Sequence, residues 1–159
     1  MFDELDNDYI EYCNDDNPWI EINNDDDIAD FFKRYDFHDT YIESIIYSSG
    51  TMESGKNSII ADGSHNMIIT IISCWYGRLE MLFTKVRRFS LQGWSDSLFG
   101  NEMHDSIIEF RTDLFGKKRD DRVVVWSDCG CAYPQEINLC DDCTTFVIAD
   151  GLKWRFVKE

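Results

Sequence analysis

The sequence predicts an α+β fold that is mainly antiparallel β, arranged as two packed sheets or a partly open barrel with one short N-terminal helix. Three observations predict this class. Several short β-branched runs bounded by turn residues follow residue 40, as is typical of strands. Only one stretch, near the N-terminus, has apolar residues at helical spacing. A His-Asp motif occurs twice, 66 residues apart, which indicates two repeated halves.

The N-terminal part predicts one short strand and the helix. Residues 19–22 alternate weakly after Pro18, which favours an edge strand. Residues 27–35 are predicted to form a helix that packs a pair of Phe side chains on a sheet. Its apolar residues fall at i, i+3, i+4 and i+7, namely Ile28, Phe31, Phe32 and Tyr35.

The remainder predicts strands and their connections. Apolar, β-branched runs predict strands at 41–48, 67–72, 107–114 and 123–126. Residues 79–83 and 86–91 are predicted to be two strands or one bent strand. Residues 50–63 are polar and contain three Gly, so they are predicted to be a loop. Asp150-Gly151 suits a type I′ turn and predicts a hairpin between 145–149 and 152–157.

The His-Asp motif is interpreted as a structural turn in each half, the halves being 36–103 and 104–159. Asp and Ser/Thr side chains bond nearby backbone N–H groups and fix turns, with the imidazole at the edge of the core. A catalytic interpretation is weaker, because adjacent strand residues point to opposite faces. The six residues of this structural interpretation are His38, Asp39, Thr40, His104, Asp105 and Ser106.

Acidic residues are concentrated at the N-terminus. The chain has 159 residues and a net charge of −16, and residues 1–30 contain 12 Asp/Glu and no Lys or Arg. Residues 1–17 are predicted to be a poorly ordered acidic segment before a single β-rich domain at 18–159. Nucleic-acid binding is disfavoured, because phosphate affinity comes from Lys and Arg. A basic protein partner is favoured, with a solvated solubility arm as the alternative. The predicted partner-binding residues are Asp3, Glu4, Asp6, Asp8, Glu11, Asp15, Asp16, Asp25, Asp26 and Asp27.

The compartment is predicted from two missing signals. No apolar run approaches the length of a membrane span, so no membrane association is expected. The first residues lack the pattern of a secretory signal, so the cytoplasm is the expected compartment.

The order of elements is similar to one group of bacterial proteins. An acidic N-terminal segment, a short helix, Phe37-His38-Asp39-Thr40, paired strands and the closing alternating run over 146–156 resemble small β-rich immunity proteins of contact-dependent and polymorphic toxin systems. The resemblance covers about residues 36–159. It implies a non-enzymatic protein that binds and neutralises a cognate toxin in the bacterial cytoplasm, and it brings no catalytic residues or cofactor. Combined with the acidic arm, it predicts a basic toxin domain as the partner.

Four cysteines form a separate cluster. Cys129, Cys131, Cys140 and Cys143 make two close pairs, a spacing that can close a tetrahedral zinc site. Inert thiols are favoured over zinc and over a redox dithiol, because Cys-x-Cys is an unusual chelating half and Asp141 and Asp142 add negative charge. The alternative function is therefore a zinc-binding or redox regulator that uses this cluster.

Overall fold

The structure, a computed structural model, describes residues 17–91, 102–103, 106–114, 117–128 and 145–157. These residues are mainly antiparallel β with one helix, which confirms the predicted fold class. In chain order the elements are β1 (Ile20–Ile22), α1 (Asp25–Arg34), β2 (Thr40–Ser48), β3 (Thr51–Glu53), β4 (Ile59–Ala61), β5 (Asn66–Ser73), β6 (Gly77–Ser90), β7 (Glu102–Met103), β8 (Ile107–Leu114), β9 (Lys117–Ser127) and β10 (Phe146–Val157). The described residues contain no helix long and apolar enough to cross a membrane.

One large sheet holds eight of the ten strands. Its order is β7-β2-β5-β6-β10-β9-β8, and β1 pairs with the second half of β10 beside β9. The two end strands, β7 and β8, are only three residues apart in the chain, so the chain passes directly from one end of the sheet to the other. The sheet therefore curls around the core, and within the described residues it does not close into a barrel.

The two predicted halves contribute matching three-stranded meanders. The first half supplies β2-β5-β6 and the second supplies β8-β9-β10, and antiparallel pairing of β6 with β10 joins them. Phe83 pairs with Leu152, and Val86 pairs with Ala149. The 66-residue offset between the halves relates Phe83 to Ala149 and Val86 to Leu152, so each pair maps onto the other. The sheet therefore has an approximate two-fold relation between β6 and β10. Origin by duplication remains a prediction.

The core lies on the concave face of the sheet. Its buried residues come from α1, from the segment that follows the helix and from every strand of the large sheet except β2, which adds the partly buried Ile42 and Ile45. Phe31 of α1 is fully buried, and its ring lies 5.0 Å from that of Trp154, centroid to centroid. Phe32 is 36% exposed, so only one of the two Phe predicted to pack on the sheet is buried. A single helix therefore covers part of the core that the curled sheet leaves open.

The helix begins two residues earlier than predicted because Asn24 caps it. The Asn24 Oδ1 accepts from the Asp27 N–H at 2.9 Å, while the Asp27 carboxylate accepts from the Asn23 N–H at 2.7 Å. Asp25, Asp26 and Asp27 occupy the first turn, where negative charge suits the helix dipole. Lys33 and Arg34 occupy the last turn, where positive charge suits the helix dipole.

The predicted hairpin at Asp150-Gly151 is wrong, because β10 runs through both residues. β10 pairs with β6 along its length on one side and with β9 and then β1 on the other. Continuous pairing on both edges satisfies far more backbone groups than a local turn would. Arg87, the extra residue of a bulge in β6, binds the Asp150 carboxylate and also Asp121. Residues 79–83 and 86–91 were predicted to be two strands or one bent strand, and the single strand β6 confirms the second alternative.

The predicted loop at 50–63 is also wrong, because it contains the β3–β4 hairpin. Met52 pairs with Ile60, and the Ser54 N–H donates to the Ser58 carbonyl at 2.8 Å. Gly55 and Asn57 take positive φ angles of 108° and 63°, which Gly and Asn adopt at low cost. Turn chemistry at the tip therefore allows a hairpin where the composition alone indicated a loop.

Candidate partner-binding surface

Exposed apolar side chains are concentrated on β2, β5 and the β3–β4 hairpin. Single exposed apolar residues are common, but a group of them indicates an interaction surface. We call the outer-face residues of β2 and β5 in this group the β2 surface, and they are Tyr41, Ile46 and Ile72. Tyr47, opposite the buried Met67, projects from the other face of β2. Met52, Ile59 and Ile60 lie on the hairpin, and Trp75 follows β5. Ile59, Trp75 and Ile46 have the largest exposed fractions, 75%, 69% and 62%.

The outer face of β2 and β5 positions part of this group. In antiparallel pairing, residues opposite each other project from the same face. Tyr41 lies opposite Ile72, and Ile46 lies opposite Ile68. Ile69 and Ile71, the alternate residues of β5, are fully buried in the core. The outer row therefore has two apolar pairs, separated by the polar pair Ser44 and Thr70, although it faces away from the core.

A bulge in β2 places an ion pair within this surface. Glu43 is the extra residue where the β2–β5 register shifts. Its two carboxylate oxygens accept from Arg78 Nη2 at 2.7 Å and from Arg78 Nε at 2.8 Å. The hydrogen bond from the Arg78 guanidinium lowers the pKa of the Glu43 carboxyl. The charge of Glu43 is thus already matched, which leaves this part of the surface nearly neutral.

The end of β2 is tied to the connection between β4 and β5. The hydroxyl of Tyr47 lies 2.8 Å from Nδ1 of His65, and the Tyr47 ring lies 5.1 Å from that of Phe89, centroid to centroid. His65 itself has a φ of 43°, in the left-handed region. Tyr47 thus remains 42% exposed while its hydroxyl has a partner, so its ring offers a fixed apolar plane.

Most of the predicted acidic interface lies outside the described residues. That part comprises Asp3, Glu4, Asp6, Asp8, Glu11, Asp15 and Asp16. Asp25, Asp26 and Asp27 are described, at the first turn of α1. Asp27 caps its own helix, whereas Asp25 and Asp26 have exposed side chains. Of the predicted interface residues that the structure describes, Asp25 and Asp26 can therefore contact a partner while the capping hydrogen bond of Asp27 stays intact.

The first His-Asp motif forms a turn, but its hydrogen bonds come from other residues than Asp39. The Thr40 hydroxyl donates to the Phe37 carbonyl at 2.6 Å, and the Asp36 carboxylate accepts from the His38 N–H at 2.9 Å. Asp39 contributes a left-handed backbone, with φ at 55°, which Asp tolerates better than most residues. His38 is largely exposed, so the expectation that its ring lies at the core edge is wrong. His38 Nε2 lies 3.6 Å from Oδ1 of Asp39, so the turn brings the two side chains close together.

In the second motif, His104 and Asp105 lie outside the described residues, and Ser106 is buried. Its hydroxyl donates to the Ser127 carbonyl at 3.0 Å and accepts from the Trp126 indole N–H. Ser106 therefore links the start of β8 to the end of β9 by hydrogen bonds. It also provides the acceptor that the indole N–H of the fully buried Trp126 needs. Its role is structural.

Thr40→Val is expected to lower the free energy of unfolding by about 1–2 kcal/mol. Thr40 is fully buried, and the substitution keeps its shape while leaving the Phe37 carbonyl without the hydroxyl donor. Urea unfolding measures the loss. Thr51→Val in exposed β3 is the control and should change stability by less than about 0.5 kcal/mol. Equal effects of the two substitutions would contradict a stabilising role for the turn.

The cysteine cluster, Cys129, Cys131, Cys140 and Cys143, lies outside the described residues, so the zinc and redox alternatives stay predictions. Cys74 is described as a free, exposed thiol. Within the described ranges, no group of three or more His, Cys, Asp or Glu could hold a metal ion.

Comparison with known proteins identifies no relative. No protein-family model matches the chain, and neither a curated protein nor a solved structure matches it. The resemblance to immunity proteins therefore remains an expectation from the sequence.

Sequence reasoning missed the β2 surface. The sequence predicted the position of β2, but it did not predict that the outer face of this strand is exposed to solvent. One signal was present: Ile45-Ile46-Tyr47 is apolar at consecutive positions, so the run must place apolar side chains on both faces of a strand. Such a run indicates either a doubly buried strand or an exposed apolar face.

Proposed function

We propose that this chain is a non-enzymatic binding protein that recognises a basic protein partner and neutralises it, the partner being a bacterial toxin. The observation that carries the proposal is the β2 surface, because exposed apolar residues along the outer face of paired strands are typical of protein interfaces. The net charge of −16 supports a basic partner. The toxin is the most specific part of the proposal and is supported by the family resemblance.

The charge and the apolar surface have different tasks in this proposal. Opposed charges raise the rate of encounter and select against wrong partners, while apolar contacts and aromatic anchors hold the complex together. Seven of the twelve acids of residues 1–30 lie in residues 1–16. We therefore expect the acidic segment to govern association and the β2 surface to govern dissociation.

The proposal predicts a large toxin gene directly upstream of this gene, and the direct test is co-expression of the full chain with the toxin domain of that gene. The full chain is expected to restore growth of cells that express this domain, and an unrelated basic nuclease domain serves as the specificity control. Purified complex should form at equal molar ratio. Continued growth arrest together with no complex would refute the proposal.

Removal of residues 1–17 is expected to slow association with that partner by roughly tenfold at low salt, with little change in the dissociation rate. The difference should shrink as ionic strength rises, because the Debye length falls to about 10 Å at 0.1 M salt. Surface plasmon resonance over a salt series measures both rates. Asp25→Asn combined with Asp26→Asn is the matched variant, expected to slow association only about two- to threefold. A truncated chain that associates at the full-length rate would show that the segment only aids solubility.

A further inference from the structure

The β3–β4 hairpin is separate from the large sheet and exposes both of its faces. It connects the end of β2 with the start of β5. Every residue from 51 to 63 is exposed. Among the described residues, β3 and β4 form a two-stranded sheet of their own. The hairpin therefore adds nothing to the core, although its backbone is regular.

Large apolar side chains occur on both faces of the hairpin. Met52 lies opposite Ile60, and Glu53 lies opposite Ile59. Residues opposite each other share a face, whereas neighbours such as Ile59 and Ile60 point to opposite faces. Ile59 is 75% exposed, Met52 57% and Ile60 50%. A flat partner surface can cover only one of these faces, so burial of both faces requires a concave surface.

Hydrogen bonds order the hairpin in the absence of packing. At its tip the Ser54 N–H donates to the Ser58 carbonyl at 2.8 Å, and at its base the Asp62 N–H donates to the Gly50 carbonyl at 3.1 Å. The Asp62 carboxylate also accepts from the Ser64 N–H at 2.8 Å. A two-stranded hairpin is only marginally stable by itself in water. Order in an unpacked hairpin lowers the entropy that is lost when a partner binds it.

One face of the hairpin carries a carboxylate that lacks a counter-ion. Glu53 forms no ion pair with any residue that the structure describes, whereas Glu43 is bound by Arg78. A cleft that covers Ile59 also takes Glu53 out of water, and a buried carboxylate needs an opposite charge. The partner therefore needs a Lys or Arg side chain in this cleft. Lys56, at the tip, can keep its ammonium group in water through its long side chain.

We infer that the β3–β4 hairpin inserts into a cleft of the partner that has apolar walls and a cation facing Glu53. This inference rests on the proposed function and specifies how the partner is neutralised. Ligand sites of proteins are concave and mostly apolar. A hairpin that fills such a cleft excludes the ligand, and this occlusion needs no catalytic group on the chain that supplies the hairpin.

Charge favours a protein cleft over two other occupants. The net charge of −16 opposes association with a second copy of this chain and with an anionic membrane. Insertion into lipid would also bury Glu53 without a counter-ion, which is costly. A basic protein supplies both the cavity and the cation.

The test measures binding of hairpin variants of the full chain to the toxin domain of the upstream gene by surface plasmon resonance. Ile59→Ser and Ile60→Ser, which alter opposite faces, are each expected to weaken binding at least about tenfold. Glu53→Gln should weaken it about three- to tenfold. Lys56→Gln, and Leu91→Ser at an exposed apolar position outside the hairpin, are controls that should change the affinity less than about twofold.

A second measurement follows the accessibility of the hairpin in the full-length protein. In the free chain, a soluble paramagnetic agent should broaden the methyl signals of Ile59 and Ile60. Both signals should be shielded in the complex. Shielding of these methyl groups in the free chain would overturn the inference, because another part of the same chain would then cover the hairpin.

Four further results would overturn the inference. They are weaker binding from only one of Ile59→Ser and Ile60→Ser, unchanged binding by Glu53→Gln, a dimer of the free protein that both Ile variants disrupt, and binding to phosphatidylcholine vesicles that depends on the hairpin. The first would indicate a flat contact and the second a cleft without the cation.

Replacement of residues 51–61 by Gly-Ser-Gly separates this inference from the proposed function. The replaced chain is expected to melt at the temperature of the full chain, because the hairpin lies outside the core, and to lose neutralisation of the toxin. A replaced chain that neutralises as well as the full chain would refute insertion alone. A full chain that neither binds nor neutralises the toxin would refute the proposed function and the insertion with it.

Discussion

Phe31→Ala is expected to lower the free energy of unfolding by about 3–5 kcal/mol, the typical cost of removing a buried Phe side chain. Phe31 has no exposed surface, and its ring centroid lies between 5.0 and 6.2 Å from those of Phe32, Tyr35, Phe37 and Trp154. The helix joins the sheet largely through this side chain, so the cavity would lie where two layers meet. Urea unfolding followed by tryptophan fluorescence measures the change.

Phe32→Ala supplies the matched control, because it removes the same atoms from the next residue of the same helix. Phe32 is 36% exposed, so the expected loss is about 1 kcal/mol. Similar losses for the two variants would show that α1 does not pack on the sheet through Phe31.

Asp128→Asn is expected to stabilise the protein above pH 6 by about 2 kcal/mol, after allowance for solvent screening. Burial raises the pKa of Asp128 from 3.8 to about 6, although the backbone and hydroxyl of Thr145 bond its carboxylate. The folded state therefore holds this proton more tightly than the unfolded state. Its contribution to stability is lost as the pH rises from about 4 to 6, and the ionised carboxylate is a cost above that range.

The pH profile of the difference between variant and parent provides the measurement. Urea unfolding at several pH values from 4 to 7.5 should show a small difference at pH 4 that grows to its plateau above pH 6. Asp120→Asn removes an equal charge from an exposed side chain and should give a difference that stays flat over the same range. A flat profile for Asp128→Asn would contradict the proposed burial of its carboxylate.

Local chemistry made part of the fold predictable. The stripe of Ile28, Phe31, Phe32 and Tyr35 is a property of neighbouring residues, and the helix forms there. The strand over 66–73 was equally clear, since its run of β-branched residues is bounded by turn residues and suits the packed surface of a sheet. Asn24 moved the helix start because a cap depends on the geometry of one side chain, which periodicity does not report.

Pairing between distant segments explains the errors. Asp150-Gly151 has the chemistry of a tight turn, yet β10 is bonded on both sides by segments far away in the chain. A Cβ on Gly151 would lie 2.6 Å from the Thr84 hydroxyl, so the Gly is used for close approach to β6 and not for a reversal.

The position of the last strand has a consequence for synthesis on the ribosome. β10 is the C-terminal element of the described chain and lies in the middle of the sheet, between β6 and the pair β9 and β1. Until it emerges, β6 and β9 each present an unpaired apolar edge, and β1 has no partner at all. Nascent chains and products of premature termination should therefore bind chaperones and aggregate readily. Folding of the large sheet is then expected to wait until β10 has been synthesised, because β10 joins the two meanders.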